Sequence, residues 1–530
     1  MLSATRPHRL AHGVRAATLP ARLYAAATAA PQAPALVDSD TRLTYADLVG
    51  RAERFAAGLH SRGVGPGDVV LIQLPNWWET VVAVWGTWLA GGVVLPVVPI
   101  YRAHELGFIL DQVRPAAVVT AAHYRGYDHA VELRSLMDRH ALPGSVIAAR
   151  SSSLLSGITA YDDVAATDLD PPPIATDPDD IALVLYTSGT TSSPKGVLHS
   201  HRTLLAESAS IRDACALGAA DRVFMPSPLS HITGLSYAVV LTADLGAASV
   251  LLDRWDAAGA VEVIEAERCT FTVSATPFLR GLAETYEARA AGGSSLRTFV
   301  CGGADIPPPL VLRAGEVMGT KVLRTYGSTE MPTLAMARLD DPTTVAAFDE
   351  GPEIGANQMQ LRATQDGMVE LVCRGPELFL GYLDAELNEH SFTPDGYFRT
   401  GDAASIENGR LRISGRIKDI INRGGEKYSA AEVEWALLTH PLVAEVSIVG
   451  YPDDTLGERA CAFVVARGDT GPSLTDLREH LLEAGFAVQK APERLEIVAS
   501  LPRTASGKIQ KFRLRQGLGC APVPHGTERG

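Results

Sequence analysis

The sequence predicts an α/β protein: a large N-terminal domain of parallel-sheet layers with helices, followed by a small C-terminal α+β domain. Three observations predict it. From about residue 43 to 400, apolar runs alternate with helix-patterned segments, the pattern of a mostly parallel sheet covered on both faces. After Gly415 the pattern shifts to two long strands between helices. And a Ser/Thr/Gly-rich loop, 187–195, directly follows an apolar run, where open α/β sheets place their ligands, beyond the carboxyl ends of strands.

The elements follow in order. The runs at 69–74, 93–98, 117–120, 181–185, 248–252 and 271–273 are short, continuous and rich in Val, Ile and Leu, as fully buried strands are. The patterns at 83–89 and 204–215 read as helices. Residues 80–101 lack any charge, so a membrane span has to be weighed. Gly91, Gly92, Pro96 and Pro99 interrupt that stretch; it reads as a helix through Ala90, a glycine turn and a buried strand, with no integral span expected. In the C-terminal part, 430–438 and 474–484 read as helices, and 443–450 and 459–466 as strands. The expected domains are 1–415 and 420–530, joined at 416–419.

Composition narrows the class. A chain of 530 residues, 46% hydrophobic and 20% charged, holds two or more globular domains. A net charge of −14 argues against nucleic-acid binding, which shows a basic face. Six cysteines lack Cys-x-x-Cys spacing, so neither a zinc site nor a disulfide framework is expected, and a reduced cytoplasmic setting follows. Residues 1–37 carry four Arg and no acid, as a transit peptide would. The whole chain, however, prefers Arg to Lys, so this stretch reads as an ordinary N-terminal arm. A monomer or homodimer is expected.

The loop at 187–195 has the chemistry of a phosphate grip. Small hydroxyl residues and Gly189 leave backbone N–H groups free to surround an anion, and Lys195 adds a point charge. It is not a Walker A loop, which requires Gly-x-x-x-x-Gly-Lys-Ser/Thr entering a helix, and that disfavours a Walker-type kinase or ATPase. Four further stretches follow in the chain: Tyr326–Glu330 (Tyr-Gly-Ser-Thr-Glu), Tyr397–Asp402 (Tyr-Phe-Arg-Thr-Gly-Asp), Gly415–Asp419 (Gly-Arg-Ile-Lys-Asp) and Pro502–Lys508 (Pro-Arg-Thr-Ala-Ser-Gly-Lys). Five such motifs in this order resemble the adenylate-forming superfamily of acyl-CoA synthetases, peptide-synthetase adenylation domains and luciferases, and the resemblance runs from about Leu43 to Lys508.

The resemblance implies ATP, Mg²⁺ and CoA as reactants and assigns roles to residues. Thr187, Ser188, Gly189, Thr190 and Thr191, with Lys195, would hold the β- and γ-phosphates; Thr190 is counted with the catalytic groups. Ser192 stands where the family pattern has Gly. Glu330 would hold Mg²⁺, which needs only one carboxylate beside phosphate and water oxygens. Thr329 would donate to the α-phosphate and Tyr326, next to Gly327, would stack on adenine, with Gly302, Gly303 and Ala304 as the facing wall. Asp402 would accept from the ribose hydroxyls and Arg416 would contact ribose or phosphate. Lys418 would be the hinge. Lys508, on a glycine loop, would bridge carboxylate and α-phosphate. The chain has only seven lysines, at 195, 321, 418, 427, 490, 508 and 511, and three fall on motif positions, which supports a need there for a compact ammonium. His231 would gate the acyl pocket, and Gly424 and Gly425 would line a CoA tunnel.

Amino-acid-activating relatives carry Asp where this chain has Ile232. The resemblance gathers His231, Ile232, Tyr237 and Gly302 into one acyl pocket, and the segments it implies there, 231–237, 274–278, 300–304 and 331–333, are mainly small or apolar. The expected substrate is therefore a neutral hydrophobic carboxylic acid: medium-chain fatty, alicyclic or aromatic. Only 22 residues follow Lys508, too few for a fused carrier domain, so the thiol acceptor is expected to be a separate molecule. The reading is an AMP-forming acid–CoA ligase. The alternative is a stand-alone adenylating enzyme that loads a carrier protein. A catalytically silent homologue is disfavoured, because Lys195, Glu330 and Lys508 are all present.

Overall fold

The computed structural model describes residues 17–151, 156–172, 176–187, 194–289, 293–303, 306–364, 368–424, 426–503 and 509–518. It divides into two compact units, 1–358 with 373–398, and 359–372 with 399–530.

The first unit carries two eight-stranded sheets. One runs in the order Ala335–Met336, Lys321–Tyr326, Thr298–Cys301, Phe271–Ser274, Arg222–Met225, Ala248–Leu251, Pro34–Asp38, Thr41–Thr44, with parallel pairing except at its two edge strands. The other runs Gly381–Tyr382, Lys195–Ser200, Ile181–Thr187, Val93–Pro96, Val69–Gln73, Ala117–Ala121, Ser145–Ala149, Ile158–Ala160. Each expected strand and helix of this region is present. Helices cover the sheets, as the continuous apolar strands require: Val69–Gln73 and Ala117–Ala121 are buried along their whole length. Helix Trp78–Leu89 packs into the core with Trp85 and Trp88 almost fully enclosed, and the Trp88 indole N–H donates to the Ala182 carbonyl at 2.8 Å. Gly91 turns the chain at φ +76°, and strand Val93–Pro96 follows. Among the described residues no helix is long and apolar enough to cross a membrane.

One departure from the parallel pattern builds the site. Strand Ile181–Thr187 is followed by an antiparallel strand, Lys195–Ser200, paired from Ile181↔Ser200 to Thr187↔Lys195. Only then does the chain enter helix His201–Cys215, where the Ser200 hydroxyl caps the N–H of Thr203. Thr187 and Lys195, which bound the grip loop, are thus paired antiparallel, and the strand that follows the loop, not the loop itself, leads into the helix, unlike a Walker loop.

The second unit is α+β, as expected. One of its sheets is built on Gln358–Ala363, Val369–Arg374, Phe398–Glu407 and Arg410–Arg416. Another orders Glu426–Ser429, Ile420–Arg423, Gly457–Ala466 and Val443–Asp453, with Arg494–Ile497 parallel to Gly457–Ala466. Helices Ala430–Leu437 and Leu474–Glu483 contribute Val433, Leu437, Leu477 and Leu481 to its core.

Candidate active site

The hairpin places Thr187 and Lys195 side by side in register at the mouth of the 188–193 segment. Both are half-buried. The short strand Gly381–Tyr382 pairs with Leu198 and Val197, so the Tyr382 ring lies under the Lys195 ammonium, 5.0 Å from Nζ to the ring centroid. The Tyr382 hydroxyl donates to Glu330 Oε1 at 2.7 Å. One buried tyrosine therefore brings the cation of the grip and the carboxylate of the Tyr-Gly-Ser-Thr-Glu loop to its two ends. Sequence reasoning missed Tyr382; its signal was a Gly-Tyr pair after an apolar run, too short to read as a strand.

The Glu330 loop is fixed on every side. It begins where strand Lys321–Tyr326 ends and closes through Leu334 N–H to Tyr326 O at 2.9 Å and Ser328 N–H to Met331 O at 2.8 Å. A Cβ on Gly327 would stand 1.9 Å from the Pro332 carbonyl oxygen, so no side chain fits that closure. The Phe379 N–H donates to the Glu330 carbonyl at 2.8 Å. Fully buried His199, on the hairpin itself, donates from Nε2 to the Thr329 carbonyl at 2.7 Å. Burial holds its imidazole down to about 4, so it stays neutral and keeps that single N–H. Opposite this loop, Gly302 packs against Thr325, whose Cγ2 would be 2.6 Å from an added Cβ, and Gly303 takes φ +79°.

His231 caps helix Ile232–Leu235, its N–H bonded to Pro228 O at 3.0 Å and its carbonyl accepting from Leu235 N–H at 3.0 Å. Gly234 passes so close to Pro228 that an added Cβ would lie 2.1 Å from its carbonyl oxygen. Asn76, also missed from sequence, pins this loop: its Oδ1 accepts from Leu229 N–H at 2.8 Å and its Nδ2 donates to Ser227 O at 2.9 Å. Ile232 packs against the core, and Tyr237 lies buried in the π-helical turn Ser236–Val240 that follows.

In the second unit, Asp402 and Arg416 are cross-strand partners, with Arg416 Nε 2.8 Å from the buried Asp402 carboxylate. Arg416 also donates to the Thr400 carbonyl at 3.1 Å. Lys418 lies in the single helical turn Ile417–Asp419. Burial pulls its amine down to about 8, with the neighbouring Arg416 and Arg515 cations helping and Asp419 opposing. Burial alone would raise Asp419, but Lys511, Arg515 and Lys418 hold it below the usual carboxylate range; Arg515 bonds it at 2.6 Å. Gly424 takes φ +63° and donates its N–H to Leu456 O at 2.7 Å, at the end of the hairpin pairing Ile420–Arg423 with Glu426–Ser429. Ser188, Gly189, Thr190, Thr191, Ala304, Gly425 and Lys508 lie outside the described residues.

Chemically, the first unit brings a cation and a hard carboxylate oxygen to one tyrosine. Among the described residues no cluster of three or more His, Cys, Asp or Glu could hold a metal by itself. A single carboxylate suits an ion such as Mg²⁺, whose other ligands are phosphate and water oxygens.

Comparison with known proteins gives the following. The model of the AMP-binding enzyme family matches residues 23–383, and that of the AMP-binding enzyme C-terminal domain matches 432–508. A medium-chain fatty-acid–CoA ligase of Escherichia coli K12 is 34% identical over 510 residues, covering 93% of this chain and 89% of the relative. A salicylyl-CoA synthase / salicylate adenylyltransferase of a Streptomyces species is 32% identical over 498 residues, covering 91% and 90%. The crystal structure of ATP-bound MatB from Rhodopseudomonas palustris superposes with a TM-score of 0.84 at 26% identity, covering 94% of this chain and 98% of the other.

Proposed function

The chain belongs to the AMP-binding enzyme family, and from that premise we propose that it is an AMP-forming acid–CoA ligase for a neutral hydrophobic carboxylic acid. The carboxylate oxygen attacks the α-phosphorus of ATP, the bond to pyrophosphate breaks, and an acyl-adenylate forms. The thiol sulfur of CoA then attacks the acyl carbon, AMP leaves, and the thiol proton passes to solvent. Both reacting partners of the first step are anions, so electrostatic preorganisation supplies most of the catalysis.

The observation that carries this reading is the Lys195–Tyr382–Glu330 array. In it, Lys195 meets the outer phosphates and Glu330, steadied by the Tyr382 hydroxyl, offers the oxygen that would hold Mg²⁺, which when bound neutralises phosphate charge. Thr329 and Tyr326 meet the α-phosphate and adenine. Asp402 and Arg416 take the ribose side, and the 416–419 segment with Lys418 serves as the hinge. Lys508 acts in the first half-reaction, and Gly424 and Gly425 admit the thiol in the second. Two relatives support CoA as acceptor by their names, one acting on a medium-chain fatty acid and one on salicylate. The second relative's double name also favours a further reading, in which the adenylate is handed to a carrier protein. A cytoplasmic setting accompanies the proposal: Cys215, Cys269, Cys301, Cys373 and Cys461 are all buried thiols outside any disulfide.

The test is ATP-dependent AMP release with CoA across short to long fatty, cyclohexanecarboxylic, benzoic and amino acids. CoA-dependent AMP with one hydrophobic class is expected. Acid-dependent pyrophosphate exchange without CoA turnover would move the acceptor to a carrier protein.

A further inference from the structure

Two carboxyl groups lie in the core of the first unit with no part in the reaction as described. Glu207, on helix His201–Cys215, and Glu377 are both fully buried. One Glu207 oxygen, Oε1, accepts from the Tyr237 hydroxyl at 2.6 Å and from the Thr333 hydroxyl at 2.9 Å. Asn357 Nδ2 holds the Thr333 backbone carbonyl at 3.0 Å. Burial first, and then Glu207 beside it, push the Glu377 carboxyl well above the usual carboxylate range.

Such a group is costly to bury, and well-packed apolar residues of similar volume would serve the fold as well or better. Its partners identify what it does. Tyr237 belongs to the π-helical turn that continues from His231 and Ile232. Thr333 stands three residues after Glu330, in the loop closed by Leu334 N–H to Tyr326 O. The Tyr237 and Thr333 hydroxyls also meet each other at 2.8 Å, so a three-group cluster centred on one carboxylate oxygen ties the wall assigned to the acyl group to the loop assigned to the nucleotide.

We propose that Glu207 is a positioning residue that couples the two substrates: by holding Tyr237 and Thr333 on one oxygen, it makes occupation of the acyl wall and settling of the Glu330 loop a single event. The inference rests on the acyl and nucleotide assignments of the proposed function. Acid bound against Tyr237 then tightens ATP, and ATP tightens acid by the same factor, because coupling between binding sites is reciprocal.

The experiment is acid-dependent pyrophosphate exchange by the full chain, with the apparent ATP constant measured at rising acid concentration. In the wild type, saturating acid is expected to tighten ATP about fivefold or more. In Glu207→Gln, where an amide replaces the carboxyl, and in Thr333→Val, where the loop donor is removed, that ratio falls toward one while both variants keep a cooperative thermal melt. Thr333→Val leaves Glu207 paired with Tyr237, so it decides the matter if Glu207→Gln does not fold. An unchanged ratio in the variants, a fall in melting temperature alone, or no acid–ATP linkage in the wild type overturns the proposal. Wild-type exchange with no acid at all instead removes the functional reading beneath it.

Discussion

Tyr382 joins the two most legible residues of the site, and its own role was not legible. Lys195 and Glu330 stand out in sequence because a lysine is scarce in this Arg-rich chain and each ends a recognisable motif. Their meeting depends on a two-residue strand pairing some 180 residues away in sequence, which no local pattern announces. The same holds for the bonds of Asn76 to Leu229, His199 to Thr329 and Glu207 to Thr333, each joining residues far apart in the chain. Tyr382→Phe keeps the ring beneath the ammonium and removes the bond to Glu330. A hydrogen bond to a charged group contributes about 1.5–3 kcal/mol, so kcat/KM for ATP should fall roughly 10- to 100-fold. AMP release against ATP concentration measures it, and an unchanged kcat/KM would mean that Glu330 needs no anchor. Glu330→Gln should lose more and should also lose its response to Mg²⁺ concentration.

At the scale of elements, continuous apolar strands and amphipathic helices were readable because each buries a face at its own period. The antiparallel hairpin Ile181–Ser200, the strands Ala335–Met336 and Gly381–Tyr382, and the π-helical turn Ser236–Val240 were not, since tertiary pairing and not local periodicity makes them. Two glycines mark where such elements approach backbone closely. Gly327→Ala and Gly234→Ala would each drive a methyl group to within about 2 Å of a carbonyl oxygen, where something must shift. Each should cost about 1–3 kcal/mol of stability, as overpacking does. Their functional effects should differ. Gly327→Ala should raise KM for ATP, because the Glu330 loop must open, and Gly234→Ala should raise KM for the acid, because the His231 turn moves. Steady-state kinetics with each substrate varied in turn distinguishes them; identical effects on both constants would contradict the separate assignments.

At the scale of the whole molecule, buried imidazoles set the response to acid. His129, His199 and His201 are each pulled by burial from the ordinary 6.5 to about 4. Between those values the unfolded chain binds protons that the folded chain refuses, so stability is full above pH 6.5 and is lost as pH falls toward 4. Melting temperature should drop by several degrees from pH 7 to 5, and His199→Gln should flatten part of that slope; a flat profile in the wild type would contradict neutral burial. The proposed order of events in catalysis belongs to this scale too, because it would divide the work between large and small domains. Both domains were legible in the change of pattern after Gly415, whereas the fine placement of the boundary depends on which strands pair, a property of tertiary contacts. If Lys508 serves the first half-reaction and Gly425 the second, each step can be disabled alone. Lys508→Ala should lower pyrophosphate exchange by several orders of magnitude while a supplied acyl-adenylate is still converted to the thioester. Gly425→Leu should show the reverse, exchanging pyrophosphate normally and failing with CoA, since a side chain would obstruct a narrow thiol path. Equal loss of both steps in either variant would mean that the two half-reactions share one arrangement of the small domain and that no change of position separates them.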